Sequence, residues 1–265
     1  MMFTPAEVAK NCVGIGVAKS KLSSGRMFLL AILAGAFIAI AGLANTTAPA
    51  TITSPSVAKL VGACIFPAGL AMVLVAGSEL FTGNSLMLVA LLRKKITLGA
   101  MLRNWGIVYL GNLVGSVLVA AMAVYGHTAS LFGNGLAQSM VNIAQSKATM
   151  SVTDAVIRGI MCNFLVCIAV WMSFAAKTVG GKLAASFWPI MLFVLCGFEH
   201  CVANMYYLPA GLFAQLEYGL SAEGLTVLNA LVNNLIPVSI GNVIGGAGGV
   251  AAMYYGIYLR GTPEE

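Results

Sequence analysis

Two carboxylates stand inside apolar runs of this chain, Glu79 and Glu199, and each belongs to the same short pattern. Residues 77–84 read GSELFTGN and residues 197–204 read GFEHCVAN, so Gly, Glu, a small residue and Asn recur in register. A carboxylate at the centre of a bilayer costs about 2.5–3.5 kcal/mol on the mildest insertion scale, so such residues need a structural or functional reason. A continuous lipid-facing helix supplies none. An interrupted helix does, because it leaves backbone N–H groups from which a carboxylate accepts. The pattern therefore predicts helix breaks at 77–84 and 197–204. Shorter helices restart at about Ser85 and Asn204, with Thr82, Asn84 or Asn204 placed to cap them. Each restart aims a helix N-terminus at the interior, where its free N–H groups and partial positive charge favour an anion.

His200 follows the second of these glutamates and is one of two histidines in the chain, where the first copy of the pattern has Leu80. A titratable ring inside a span reads as functional by default. The competing reading is a buried imidazole that holds the broken helix through hydrogen bonds to Glu199 or a carbonyl. Thr82, in the other break, can present its hydroxyl to an anion or turn it onto its own helix end. Phe66 and Leu70 lie one turn apart before the first break, and Phe193 lies before the second, positions that suit apolar gates on either side of His200 or ordinary packing. A dry ring selects by desolvation, passing weakly hydrated or protonatable anions more readily. Lys147 falls in the segment between the two halves, where it either raises local anion concentration at a mouth or is a solvated loop lysine. Asn163 lies in a span without charge partners. Asn112 and Asn242 sit beside glycines and read as interhelical glue, and Gly245, Gly246, Gly248 and Gly249 read as close helix packing.

The elements that must position these residues follow from composition. Of 265 residues, 60% are apolar and 8% charged, against about a quarter charged in soluble domains, so the chain belongs in lipid. Runs long enough to cross a hydrocarbon core lie at about 27–48, 57–77, 104–126, 153–177, 186–216 and 226–258, which makes six spans. A second repeated pair, 104–115 and 234–245, shares an opening Asn and a G-N-[LV]-[VI]-G core. Spans two and three thus recur as five and six, and with three spans per half the second copy lies inverted in the membrane. The expected fold is all-α, with six transmembrane helices in two inverted three-helix repeats and with helices two and five broken. Its segments are 1–26 (amphipathic N-terminal lead-in), 27–126 (first repeat), 127–152 (outer connecting loop), 153–260 (second repeat) and 261–265 (tail). Eleven of the fourteen Lys and Arg fall on one side of this arrangement, which places both termini in the cytoplasm. The net charge of +6 then reports topology and not nucleic-acid binding.

At these motifs the chain resembles the formate/nitrite transporter family, on GSELFTGN at 77–84, GFEHCVANMYYLP at 197–209 and NNLIPVSIGNVIGG at 233–246. The likeness runs from about Thr4 to Arg260. It implies an aquaporin-like fold in a bacterial-type inner membrane, assembled as a homopentamer with a pore in each subunit and His200 at its centre facing Thr82. It further implies Phe66, Leu70 and Phe193 as constriction residues, Leu80, Phe81 and Thr82 as a mobile gate loop, and Lys147 as the outer anion-attracting lysine. Asn163, Asn204 and Asn242 become polar support along the path, and Glu79 and Glu199 remain structural at the breaks. Cys201, where Ser is frequent, resembles the hydrosulfide-channel branch, with formate a close second.

The expected function is a selective channel for small monovalent weak-acid anions of the hydrosulfide, formate and nitrite class. A proton-coupled anion transporter and an aquaporin-like neutral-solute pore are the alternatives, although Asn-Pro-Ala occurs in neither half. No enzyme activity is expected, for want of a serine–base pair, HExxH or paired aspartates in the spans. No cofactor or metal is expected either, since the six cysteines form no CxxC pair or Cys/His cluster and read as reduced packing residues.

Overall fold

A computed structural model describes residues 2–262; the last three residues of the expected tail, 263–265, lie outside the described residues. Among the described residues the chain is helical, without strands. Helix α1 (Pro5–Ser20) starts at a capping box in which Thr4 and Glu7 satisfy one another. The Thr4 backbone N–H, then its hydroxyl, hold the Glu7 carboxyl below its ordinary range. There follow α2 (Ser24–Thr47), α3 (Pro55–Gly77), α4 (Gly83–Leu92), α5 (Leu98–Tyr125), α6 (Gly135–Ala148), α7 (Val152–Ala175), α8 (Val179–Leu195), α9 (Cys201–Glu217) and α10 (Val227–Tyr258).

Five of these, α2, α3, α5, α7 and α10, are long and apolar enough to cross a membrane, while α4 and α8 are shorter apolar helices. Their outward faces carry large apolar side chains such as Leu29, Leu110, Met122, Ile236 and Ile244, all exposed. A soluble domain does not leave that much contiguous apolar surface to water.

Helix α3 stops at Gly77, with φ +82°, and α8 gives way at Gly197, with φ +72°, conformations that a residue with a Cβ adopts only under strain. The chain crosses 78–82 and 198–200 without regular helix before α4 and α9 begin. The restarts come at Gly83 and Cys201, two or three residues earlier than the sequence suggests. Neither Thr82, Asn84 nor Asn204 caps them. Thr82 makes no capping bond, and α9 is capped by the His200 ring.

Two further boundaries differ from expectation. The third span begins at Leu98, not 104, because Thr97 caps it and Arg103 in its second turn donates to the Leu22 carbonyl and Ser24 hydroxyl. The presumed connecting loop at 127–152 contains α6, whose Leu136, Ala137, Met140, Val141, Ala144 and Ala148 are buried at helical spacing.

The two second motifs hold the pairs α2/α5 and α7/α10 at backbone distance. A Cβ on Gly115 would lie 2.0 Å from the Ile32 carbonyl oxygen, and one on Gly245 would lie 2.1 Å from that of Ile160. Close packing thus applies to Gly245 and to Gly246, but Gly248 faces open space. Helices α1 and α6 lie against the two restarted helices, at Gly16 on Ala90 and at Ala144 on Gly211. Gly115→Ala and Gly245→Ala should each destabilise the protein by about 1–3 kcal/mol through overpacking, read as a lower unfolding midpoint in detergent, with Gly248→Ala close to wild type.

Candidate functional site

Each break is organised by a glutamate, a lysine and asparagines. Glu79 accepts from Lys19 Nζ at 2.6 Å and from Asn84 Nδ2 at 2.7 Å, and Asn84 in turn donates to Asn104 Oδ1 at 2.8 Å. Glu199 accepts from Lys147 Nζ on both oxygens at 2.8 Å, from Asn204 Nδ2 at 2.7 Å and from Asn234 Nδ2 at 3.2 Å. The partners are therefore side chains, not the free backbone N–H groups expected from the break. A carboxylate buried to about this degree is stable only when charge-paired and hydrogen-bonded, and two lone-pair-rich oxygens are met here by one ammonium and carboxamides.

One backbone N–H and one carbonyl of each break go to a second pair of asparagines. Asn112 Oδ1 accepts from Phe81 N while its Nδ2 donates to the Ala31 and Glu79 carbonyls. Asn242 does the same with Cys201 N and the Gly159 and Glu199 carbonyls. Both are fully buried, and each bolts its break to two neighbouring helices. Asn163 Nδ2 reaches the Thr82 carbonyl, Ser85 Oγ and the Asn242 carbonyl, and Cys167 donates to that same Thr82 carbonyl. Asn163, Asn204 and Asn242 thus direct these donors at protein groups around the site.

His200 and Thr82 meet at the centre, Nε2 to Oγ1 at 2.9 Å, both buried. The other ring nitrogen, Nδ1, accepts from Ala203 N at 3.1 Å as the cap of α9. A nitrogen that accepts carries no proton, so a neutral ring holds its proton on Nε2 and donates it to Thr82 Oγ1. The Thr82 hydroxyl hydrogen is then left to point elsewhere.

Among the described residues, three cavities bear on this region. One of about 520 Å³ is bordered by Lys19, Glu79, Leu70 and Leu80. Another of about 150 Å³ is bordered by Lys147, Glu199, Phe66, Phe193 and His200. Between them lies a pocket of about 10 Å³ against Phe66, Leu70, Leu80, Phe193 and His200, at the lower limit for one water. Phe66 and Phe193 meet edge to face at 5.6 Å, and the Phe193 ring lies 5.9 Å from that of His200. Phe81 borders none of these cavities and packs against Trp105 and Tyr109.

Lys147 is not a loop residue. It sits in the last turn of α6, its side chain 14% exposed, paired with Glu199 and over the Tyr207 ring. The sequence reading missed Lys19 altogether as a site residue. Its signal was positional: Lys19 and Lys147 each lie in the segment immediately before a half begins.

Helical halves with apolar outer faces, two cavities and a dry contact between them define a multi-pass membrane protein of the transporter and channel class. The formate/nitrite transporter family model matches residues 6–256. The formate channel FocA of Escherichia coli K12 is 40% identical, with 98% of this chain and 95% of that protein covered. A probable formate transporter of Methanothermobacter thermautotrophicus is 38% identical, covering 97% of both. Among solved structures, an FNT family ion channel superposes with a TM-score of 0.86 at 28% identity, covering 97% of this chain and 99% of that one. A pentameric formate channel with formate bound gives 0.77 at 35%, covering 89% and 98%. The chain belongs to the formate/nitrite transporter family.

The ion pair makes a specific demand. Lys147→Met leaves the Glu199 carboxylate buried without its cation and should destabilise the protein by about 3–5 kcal/mol. Adding Glu199→Gln should recover most of that loss, a coupling that a double-mutant cycle on detergent unfolding midpoints will measure.

Proposed function

We propose that the chain is a channel for small monovalent weak-acid anions, with the Thr82–His200 pair at the dry contact between the two cavities as its selective point. The observation that carries this reading is one imidazole, His200, in the lining of an otherwise apolar central pocket, with the Thr82 hydroxyl hydrogen-bonded to it at 2.9 Å. An anion leaving either cavity must shed water there, at a cost that only hydrogen bonding offsets. Thr82 Oγ1–H, freed by the ring's donation, is the first donor. The His200 Nε2–H becomes the second when the anion displaces Thr82 from it. An anion able to accept a full proton shares its charge with these donors more completely than chloride does.

The constriction must widen for transport, and 80–82 is the segment on which this depends. Leu80 borders both the large cavity and the central pocket, and the Thr82 carbonyl is held by Asn163 and Cys167. Leu80 and Thr82 move as a gate in this reading, and Phe81 anchors them. The chain crosses the membrane six times in two inverted halves, α8 and α9 forming the broken fifth crossing, with both termini cytoplasmic and the Lys147 cavity outside. It forms a homopentamer, as does the solved formate channel it resembles.

Formate is the favoured substrate, because the relatives that name one name formate. The lean toward hydrosulfide rested on Cys201, which is fully buried and borders none of the three cavities. In proteoliposomes, formate and nitrite should pass conductively and chloride poorly, with a reversal potential that follows the anion gradient alone. His200→Ala should change the formate-to-chloride ratio at least about tenfold, the scale of one lost charge-assisted bond. A reversal potential following the proton gradient would replace the channel by a coupled transporter, and anion-independent uptake of glycerol by a neutral pore.

A further inference from the structure

Lys147 was the basic residue expected to draw anions into the cavity it borders, but both Glu199 oxygens hold its ammonium. An ion pair at 2.8 Å presents a dipole to a distant anion, and its field falls off much faster than that of a single charge. Some other group must supply the attraction if this mouth is to concentrate anions. Lys59 borders the same cavity, from the first turns of α3. It is exposed, and among the described residues it makes no hydrogen bond or ion pair. The charges close enough to act on it are Lys147, Glu199 and Arg158, so with the Lys147–Glu199 pair neutral overall the mouth keeps a net positive charge.

We propose that Lys59, not Lys147, is the anion-recruiting cation of this mouth, and that Lys147 serves to neutralise Glu199 behind it. The inference rests on the channel reading above. It assigns the two lysines opposite roles: one free and electrostatic, the other paired and structural. Lys59 sits short of Phe66 by two turns of the same helix, so an anion held near its ammonium stands before the Phe66–Phe193 contact.

The test is formate flux through wild type, Lys59→Gln and Lys59→Arg in proteoliposomes, at low and high formate and at low and high inert salt. Lys59→Gln should lower flux about three- to tenfold at low formate and low salt, and little at saturating formate, since a recruiting charge acts on encounter and is screened by salt. Lys59→Arg should retain wild-type flux, and all three proteins should unfold at the same temperature. Equal flux from Lys59→Gln and wild type at low salt would overturn the proposal while leaving the channel standing. A loss of flux that salt and formate concentration do not alter, or that Arg fails to rescue, would overturn it too, by showing a packing role. No formate flux in wild type would remove the channel reading itself.

Discussion

The structure turns on how a buried carboxylate is paired inside an interrupted helix. Glu79 and Glu199 occupy the two breaks, and each is met by one lysine from a helix outside the repeated motifs and by the asparagine five residues on. Desolvating a lone charge costs several kcal/mol, and close pairing with further hydrogen bonds recovers it. The demand reaches far along the chain. It fixes where α1 and α6 must lie, since Lys19 and Lys147 reach the glutamates only if their helices rest on α4 and α9. The small residues at Gly16 and Gly211 permit that approach.

A second pair of asparagines deals with the backbone. Breaking a helix frees N–H and C=O groups that apolar surroundings do not satisfy. Asn112 and Asn242 each take one such N–H and two carbonyls through the side-chain carboxamide, both of whose N–H groups donate. Their helices come within reach because Gly115 and Gly245 allow backbone against backbone. The breaks are therefore tied at their bases to neighbouring helices.

Against this matched scaffolding the residue after each glutamate differs in kind, Leu80 in one break and His200 in the other. Leucine closes the large cavity with an apolar surface. Histidine both caps α9 through Nδ1 and presents Nε2–H to Thr82, so helix formation itself selects the ring's tautomer. A second proton at Nδ1 would set two N–H groups face to face and give up the cap. The Nε2–H donor is thus maintained by the same bond that starts α9.

Much of this was legible in the residue order. Apolar runs marked the five helices long enough to cross a membrane, and the paired G-x-E motifs marked the breaks, because hydrophobic length and buried charge are local properties that a sequence displays directly. What a sequence does not display is which distant group meets a buried one. Lys147 read as a loop lysine and Lys19 as a topology marker, while both are counterions. The glutamates were expected to take backbone N–H groups and take carboxamides. Asn204 and Thr82 looked like caps, yet His200 caps the helix. Phe81 packs against Trp105 and Tyr109, partners that its place in the motif does not announce. In each case several partners satisfied the same local chemistry, and the choice among them was made by helices approaching from elsewhere in the fold.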